Sequence, residues 1–248
     1  MTSYQGGKKQ LGKRIYNVIL DVERSLGYDN LPYFEPFCGM CGVLIHFCKE
    51  DTDRDVQACD LNKDIILMWK KAQKNWIPPT HCDLGAYNRL KNSKTPSANR
   101  GFIGTVCSFS GIFFKGGFRP KSKNYDFCKS GSKAICEYTK YMKDVKFFSS
   151  KSYDKFNPKG MLIYCDPPYA GNNINTEYFQ NFDHEKFWNV MRKWSKHNIV
   201  VISEKTAPKD FKCIWKGGYK VSFLNSGDSK NHKKEYKECL FVHRSYNL

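Results

Sequence analysis

The chain has 248 residues, of which 40% are hydrophobic and 15% aromatic, which is enough to bury a core and excludes disorder along the whole length. No stretch reaches the roughly 18 consecutive apolar residues of a membrane span, and the first residues lack a signal-like apolar region, so a secreted or membrane protein is not expected. Lys and Arg number 41 against 24 Asp and Glu, a net charge of +17, which favours a polyanionic partner, although a Lys-rich solvated surface also accounts for it.

The cysteines indicate a compartment and argue against a metal. Their number, 11, is odd, and they lack the spacing of a disulfide framework. We therefore expect reduced thiols in an intracellular, reducing compartment such as the cytoplasm or a virus factory. Cys38 and Cys41 form a Cys-x-x-Cys pair. Because no second pair or histidine at zinc-finger spacing accompanies it, buried thiols are favoured over zinc, and no metal is predicted.

Apolar spacing predicts alternating helices and strands in the first 80 residues. In chain order, the predicted elements are a helix over 11–22 ended by Gly27, a strand over 33–37, a helix from Val43, a strand over 56–59, and a helix capped by Asn62 whose apolar face runs to Trp76. A tight turn at 39–42 follows the first strand, and Asp60 follows the second. This order is typical of the first half of a doubly wound α/β domain.

The composition and apolar periodicity of the sequence change after Pro78 and Pro79. Residues 81–143 are rich in Gly, Lys, Ser, Asn and aromatic residues with weak periodicity, and we predict an insertion outside the sheet. The α/β pattern then resumes, with predicted strands at 145–148, 161–165 and 199–202, a helix capped by Asp183, and a closing hairpin of 219–224 and 236–242. Residues 1–80 and 144–248 are therefore predicted to form one α/β domain, which residues 81–143 interrupt.

Asp166-Pro167-Pro168-Tyr169 is the sharpest motif in the chain, and it directly follows a predicted buried strand. The carboxyl ends of such strands are where open α/β sheets bind ligands. The two prolines stiffen the turn and donate no hydrogen bonds. The Asp166 carboxylate and the Pro167 carbonyl can each accept a hydrogen from an exocyclic amine, and Tyr169 can stack on a planar base. An ordinary proline-rich turn with a capping aspartate is the alternative.

A glycine turn and a strand-end acid form a second motif. Gly39 allows close approach of a ligand to the backbone, and Asp60 closes the next strand about twenty residues later. In nucleotide-binding sheets an acid at this position accepts hydrogen bonds from ribose hydroxyls.

In the third motif, Gly6 and Gly7 precede the first helix and offer backbone N–H groups to an anion, and Lys8 adds positive charge there. In isolation, this last feature is better explained by a flexible basic arm.

Taken in order, these motifs resemble the DNA adenine methyltransferase family, the Dam-like branch of amino-methyltransferases whose cofactor is S-adenosylmethionine. The Gly-Gly-Lys arm, the glycine loop, the ribose acid, a target-recognition insertion and D-P-P-Y follow one another as in that family. Lesser matches are 148–153 and Glu238-Cys239-Leu240-Phe241. The resemblance implies a Rossmann-like methyltransferase with a mixed, mostly parallel sheet. In it, 1–80 and 144–248 are the catalytic domain and 81–143 the inserted DNA-binding region.

The resemblance also implies roles for individual residues. Asp166, Pro167 and Tyr169 would be catalytic, with Asp166 between the cofactor and the target base. The residues expected at S-adenosylmethionine are Tyr4 and Lys8 at its methionine end, Phe37 and Gly39 beneath it, Asp60 at its ribose, Phe148 near its adenine, and Asp166. The product of the cofactor would be S-adenosylhomocysteine.

One position departs from the family pattern. The F-x-G-x-G stretch of the family corresponds here to Phe37-Cys38-Gly39-Met40-Cys41-Gly42, so Cys41 replaces the second glycine. We expect either that Gly42 takes over the role of that glycine or that Cys41 crowds the loop and weakens cofactor binding.

The expected macromolecular partner is double-stranded DNA, bound by a monomer or a weak dimer, with no membrane. Candidates for phosphate contacts are Lys115, Arg119, Lys121 and Lys123. Arg119 could instead hydrogen-bond the edge of a guanine base. An adenine in duplex DNA would have to be flipped out to reach the pocket.

Other activities remain open. No proline is followed by cysteine, which argues against carbon-5 methylation of cytosine. Asp166 at the start of the tetrapeptide favours adenine over a cytosine amine, and the basic insertion argues against a protein amide. The alternatives retained are an RNA or cytosine-amine methyltransferase and a catalytically inactive DNA-binding relative of the same fold.

Overall fold

A computed structural model describes residue 8 and residues 10–170, 181–224 and 231–248 of the chain, with the backbone alone described for 219–224 and 231–236. The chain divides into two compact units. The first unit comprises Met1–Lys8 and Pro32–Asn157, and the second comprises Lys9–Leu31 and Pro158–Leu248. Tyr4, Gly6 and Gly7 of the predicted cofactor arm lie outside the described residues.

Three short parallel strands organise the first unit. They are β1 (Tyr33–Glu35), β2 (Val56–Ala58) and β3 (Lys146–Phe147), with β2 in the middle. Tyr33 lies opposite Val56, and helix α2 (Leu44–Glu50) connects β1 to β2. The residues of β1 are all buried, as expected for a strand of a parallel sheet. The carboxyl ends of β1 and β2 therefore lie side by side, which places the glycine turn next to Asp60.

Helix α3 (Lys63–Ala72) follows β2 and begins as predicted, because the Asn62 side chain accepts a hydrogen bond from the Asp64 N–H. The predicted extension of its apolar face to Trp76 is wrong. Asn75 has φ 63°, and the Trp76 N–H returns to the Lys71 carbonyl at 3.2 Å. This hydrogen bond and left-handed residue form a terminating turn that ends the helix before Trp76.

The region 81–143, in which apolar periodicity is weak, contains three α-helices and no β-strand longer than a single bridge. They are α4 (Leu84–Asn92), α5 (Ala98–Val106) and α6 (Phe127–Thr139), and each is capped by a side chain that accepts a backbone N–H: Asp83, Ser97 and Asp126. Helix α5 packs tightly on α3, since a Cβ added at Gly101 would lie 2.3 Å from the Asp64 carbonyl oxygen. A single antiparallel bridge, Ser108 to Phe118, closes the loop between α5 and α6.

The second unit contains helix α1, helix α7 and four strands. The elements are α1 (Gly12–Ser25), β4 (Leu162–Cys165), α7 (His184–Trp194), β5 (Ile199–Glu204), β6 (Phe211–Leu224) and β7 (Asn231–His243). Strands β4 and β5 are parallel, whereas β7 runs antiparallel to both β5 and β6. Helix α1 ends before Gly27, which has φ 79°, as predicted.

Burial and capping in the second unit follow the sequence pattern. The Asp183 side chain accepts the Lys186 N–H and starts α7, whose Phe187, Met191 and Trp194 are buried. All residues of β4 and β5 are buried, in agreement with their continuous apolar runs. The predicted closing hairpin corresponds to β6 and β7, although β6 starts earlier, at Phe211.

These pairings confirm the predicted Rossmann-like class, an α/β fold with mixed, mostly parallel strand pairs. The parallel pairs β1–β2, β2–β3 and β4–β5 carry the α/β part, and the β6–β7 hairpin adds the antiparallel part. In the described part of the chain, every helix is too short or too polar to cross a lipid bilayer.

Candidate active site

The D-P-P-Y turn lies where the sequence predicts it, directly after the buried strand β4. Pro167 is buried, whereas Asp166 and Tyr169 are half-buried and so partly accessible to solvent. A carboxylate and an aromatic ring are thus presented together at the carboxyl end of a parallel strand, the usual ligand edge of an α/β sheet.

The hydroxyl of Tyr169 lies between two carboxylates. It is 2.9 Å from Asp166 Oδ1 and 2.5 Å from Glu238 Oε1 of β7. Burial, followed by the negative charges of Asp166 and Glu238, raises the pKa of Tyr169 well above its usual value. Tyr169 is therefore a neutral phenol with one proton to donate. The sequence pointed to the ring of Tyr169, but the contact of its hydroxyl with Glu238 comes from the tertiary structure.

Glu204 is a second carboxylate that the sequence reasoning missed. It ends β5 and is buried, and its two oxygens accept the N–H groups of Ala170 at 3.2 Å and Lys205 at 2.7 Å. These bonds attach the residue after the D-P-P-Y turn to the end of the neighbouring strand. Burial raises the pKa of Glu204 to about 7. The available signal was an acid at the end of an apolar strand, the same signal that identified Asp60.

The raised pKa of Glu204 predicts a pH-dependent stability. In the unfolded chain Glu204 loses its proton near the ordinary value of 4.5, whereas in the folded chain it keeps the proton up to about pH 7. Between these values the folded state binds more protons, so the free energy of unfolding contributed by Glu204 falls as the pH rises. Between pH 4.5 and pH 8, we expect the free energy of unfolding of wild type to fall by about 2 kcal/mol relative to that of Glu204→Gln, after allowance for solvent screening.

Urea denaturation of both proteins across this pH range measures the difference. Glu185→Gln is the matched control, because Glu185 is exposed in the first turn of α7. A difference between wild type and Glu204→Gln that stays constant with pH would contradict the assignment.

In the first unit, Asp60 fixes the glycine turn. Its Oδ2 accepts the Gly39 N–H at 2.9 Å, and its Oδ1 accepts the Asn62 N–H at 2.8 Å. The indole N–H of Trp69 donates to the Gly39 carbonyl at 2.9 Å, so Gly39 is held on both sides. Burial raises the pKa of Asp60, while the bonds from Asn62 and Gly39 oppose that rise. A hydrogen bond thus joins the predicted glycine turn to the strand-end acid, a contact that the sequence did not predict.

Cys41 itself adopts the backbone conformation that suits glycine. Its φ is 56°, and Gly39 has φ 44°, whereas Gly42 is not among the residues with positive φ. Cys41, and not Gly42, therefore supplies the left-handed residue that follows Gly39 in this turn. The Cys41 thiol is buried, its pKa is raised by burial, and its sulfur lies within hydrogen-bond reach of the Cys38 thiol.

This conformation predicts that glycine is more stabilising than alanine at position 41, the opposite of the order expected inside a helix. Alanine at 41 would keep the strained backbone, whereas glycine would relieve it, so we expect Cys41→Gly to be about 1 kcal/mol more stable than Cys41→Ala. Cys48 is buried in α2, where glycine is intrinsically worse than alanine, and the same pair of substitutions should give the opposite order by about 1 kcal/mol. Thermal and urea unfolding measure both pairs. The same order at 41 and 48 would contradict this interpretation.

The other predicted cofactor residues of the first unit differ in exposure. Lys8 is buried. Phe37 is half-buried, with its ring 5.3 Å from that of Tyr153. Phe148 is half-buried, with its ring centroid 5.3 Å from that of Phe156. The carboxylate of Asp60 can accept ribose hydroxyls, and the rings of Phe37 and Phe148 keep exposed area for a planar group, so the described residues fit a nucleoside-containing cofactor.

The insertion presents its basic candidates in two ways. Lys115, Lys121 and Lys123 are exposed, and Lys121 Nζ lies 3.8 Å from Asp126 Oδ2. The Arg119 guanidinium instead stacks 3.3 Å above the centre of the Phe127 ring, and burial lowers its pKa. Arg119 is therefore held in place, whereas the lysines extend from the surface.

Comparison with known proteins supports the family resemblance that the sequence motifs indicate. Residues 4–103 match the family model described as D12 class N6 adenine-specific DNA methyltransferase. A search of curated proteins gives no match. Among solved structures, the chain is similar to the rRNA methyltransferase aviRa from Streptomyces viridochromogenes, with a TM-score of 0.38 and 9% identity over 93% of this chain and 84% of that chain.

A second solved structure, described as a putative RNA methyltransferase, PH1948 from Pyrococcus horikoshii, has a TM-score of 0.27 and 10% identity over 73% of this chain and 98% of that chain. At such TM-scores neither likeness bears on the fold or substrate of this protein. The match over residues 4–103 confirms the predicted resemblance to the Dam-like DNA adenine methyltransferase family.

Proposed function

We propose that this protein is a site-specific DNA methyltransferase that transfers a methyl group from S-adenosylmethionine to the exocyclic amino group of adenine. The observation that carries the proposal is the D-P-P-Y turn at the carboxyl end of β4, where Asp166 and Tyr169 remain partly accessible. The family match to N6 adenine-specific DNA methyltransferases supports the same chemistry.

The residues of the turn have complementary tasks in this reaction. The adenine amine is a weak nucleophile because its lone pair is delocalised into the ring. Hydrogen bonds from the amine to the Asp166 carboxylate and the Pro167 carbonyl would orient it and favour a tetrahedral nitrogen. The stiff Pro167-Pro168 backbone holds these two acceptors in fixed positions, so that positioning supplies much of the rate enhancement.

The Tyr169 ring would receive the flipped base. Extruding an adenine from the duplex costs a few kcal/mol in lost stacking and pairing, and contact with an aromatic face returns part of that cost. The hydroxyl bonds to Asp166 and Glu238 restrict the rotation of the phenol. The ring is therefore pre-ordered for stacking.

For the cofactor, the first unit supplies a turn that is already ordered. When bound, S-adenosylmethionine supplies an electrophilic sulfonium methyl group, and S-adenosylhomocysteine remains. Asp60 would hold the ribose, Phe37 and Gly39 would lie beneath the cofactor, and Phe148 would contact its adenine. Lys8 and Tyr4 would bind the carboxylate end.

Double-stranded DNA is the proposed substrate because of the charge of the chain and the exposed lysines of the insertion. Lys115, Lys121 and Lys123 would contact phosphates, which gives affinity with little sequence information. Arg119 is held against Phe127, and its fixed orientation suits it for a base edge or a defined phosphate. We propose an intracellular monomer or weak dimer on DNA.

The decisive experiment offers unmodified duplex DNA, single-stranded DNA and RNA to the protein with radiolabelled S-adenosylmethionine, followed by nucleoside analysis. We expect label in N6-methyl-2′-deoxyadenosine from duplex DNA. Label in methylated cytosine or only in RNA would replace the proposal with one of those activities. DNA binding without label in any arm would indicate an inactive DNA-binding relative.

A further inference from the structure

The single proton of the Tyr169 hydroxyl is shared between two acceptors. Asp166 Oδ1 and Glu238 Oε1 lie 2.9 and 2.5 Å from the phenol oxygen. A hydroxyl has one O–H to donate, and ionised carboxylates only accept. At any moment the phenol therefore donates to Asp166 or to Glu238, but not fully to both.

This geometry bears on the proposed reaction, because the substrate amine must donate to Asp166. A Tyr169 hydroxyl that donates to Asp166 uses part of the acceptor capacity that the amine requires. Donation to Glu238 removes this competition by the Tyr169 hydroxyl at Asp166 Oδ1. The choice between the two acceptors thus determines how readily the amine is captured.

We propose that Glu238 is a positioning residue for methyl transfer, which accepts the Tyr169 hydroxyl when the substrate amine engages Asp166. The inference rests on the proposed function. It gives a role to Glu238 within the 238–241 stretch, which the sequence singled out without assigning any task to the glutamate.

The location of Glu238 suits this role. It is buried on β7, where its backbone lies opposite Gly217 of β6, and the next residue, Cys239, lies opposite Glu204 of β5. A side chain on a strand paired on both sides is held more rigidly than one on a loop. The phenol can therefore move between its acceptors by a small rotation, while the position of Glu238 stays fixed.

The charged groups around the phenol favour this exchange. Asp166 and Glu238 are its hydrogen-bond acceptors, and both of their charges raise the pKa of Tyr169. Glu204 is close enough to Asp166 for the two carboxylates to repel each other. A phenol that stays protonated in this acidic setting remains a donor throughout the reaction, so that it exchanges hydrogen bonds and not its proton.

Glu238→Gln tests the proposal with little change of shape. A neutral amide oxygen is a weaker acceptor than a carboxylate, so the phenol would donate mainly to Asp166. We expect kcat on duplex DNA to fall about tenfold, with KM for S-adenosylmethionine within twofold of wild type. Glu185→Gln, an exposed glutamate of α7, is the matched control and should leave kcat unchanged.

A double-mutant cycle with Tyr169→Phe distinguishes positioning from a general structural role. The phenylalanine keeps the aromatic ring but has no hydroxyl, so measurable activity is expected to remain. If Glu238 acts through that hydroxyl, adding Glu238→Gln to Tyr169→Phe should change kcat by less than twofold. A tenfold further loss in the double variant, or an unaffected kcat in the single variant, would overturn the inference. Absence of methyl transfer by wild type would instead overturn the proposed function itself.

Discussion

Asp166→Ala is expected to lower kcat for methyl transfer to duplex DNA by at least about a thousandfold, because it removes the acceptor that orients the amine at the moment of attack. DNA affinity should change by less than about threefold, since phosphate contacts dominate binding and Asp166 makes none in the proposed complex. Transfer of labelled methyl groups and filter or gel binding of the same DNA measure the two quantities.

The control for Asp166→Ala must separate lost chemistry from lost structure. Asp21→Asn, at an exposed position of α1, is expected to leave both rate and affinity unchanged. Because the alanine also removes the acceptor of the Tyr169 hydroxyl at 2.9 Å, circular dichroism and thermal unfolding should accompany the kinetics. Near-normal activity in a folded Asp166→Ala protein would refute the assigned role.

Asp60→Asn is expected to weaken S-adenosylmethionine binding about 100-fold, through two losses. The asparagine cannot accept both the Gly39 and Asn62 N–H groups, because its amide nitrogen is a donor, so one side of the turn loses its bond. A charged acceptor for the ribose hydroxyls is lost as well. Isothermal titration of the cofactor in the absence of DNA measures this effect directly.

The predicted size of the Asp60 effect depends on its place between the glycine turn and α3. Asp53→Asn, at an exposed position before β2, provides the control and should bind the cofactor as wild type does. We also expect Asp60→Asn to lose about 1 to 3 kcal/mol of stability, the cost of a buried N–H without its acceptor. Unchanged cofactor affinity in a folded variant would contradict the predicted ribose contact.

The proximity of three carboxylates in the second unit could not be read from the sequence. Asp166 directly follows β4, Glu204 ends β5 and Glu238 lies on β7, so sequence separations of 38 and 34 residues hide their proximity. The parallel pairing of β4 with β5 and the antiparallel pairing of β5 with β7 bring these positions together. Sheet register therefore created a set of interactions that the D-P-P-Y motif alone did not contain.

Local signals were sufficient where short-range physics decides the structure. The caps of α3 and α7 and the buried strands β4 and β5 followed from residue type and spacing. The insertion was harder to predict because two of its three helices have only 9 residues each. Packing of α5 on α3 supplies stability that apolar periodicity does not show. The end of α3 was set by the left-handed conformation of Asn75, which the apolar face did not reveal.

The sequence by itself determined the α/β class, the family resemblance and the four-residue motif, because strand-end placement and composition are properties of neighbouring residues. Only the tertiary structure decided that Cys41 has the glycine-like backbone conformation and that the Tyr169 hydroxyl lies within hydrogen-bond distance of both Asp166 and Glu238. Backbone conformation at a tight turn and contacts between distant strands depend on how the whole chain packs, and no local pattern of residues specifies them.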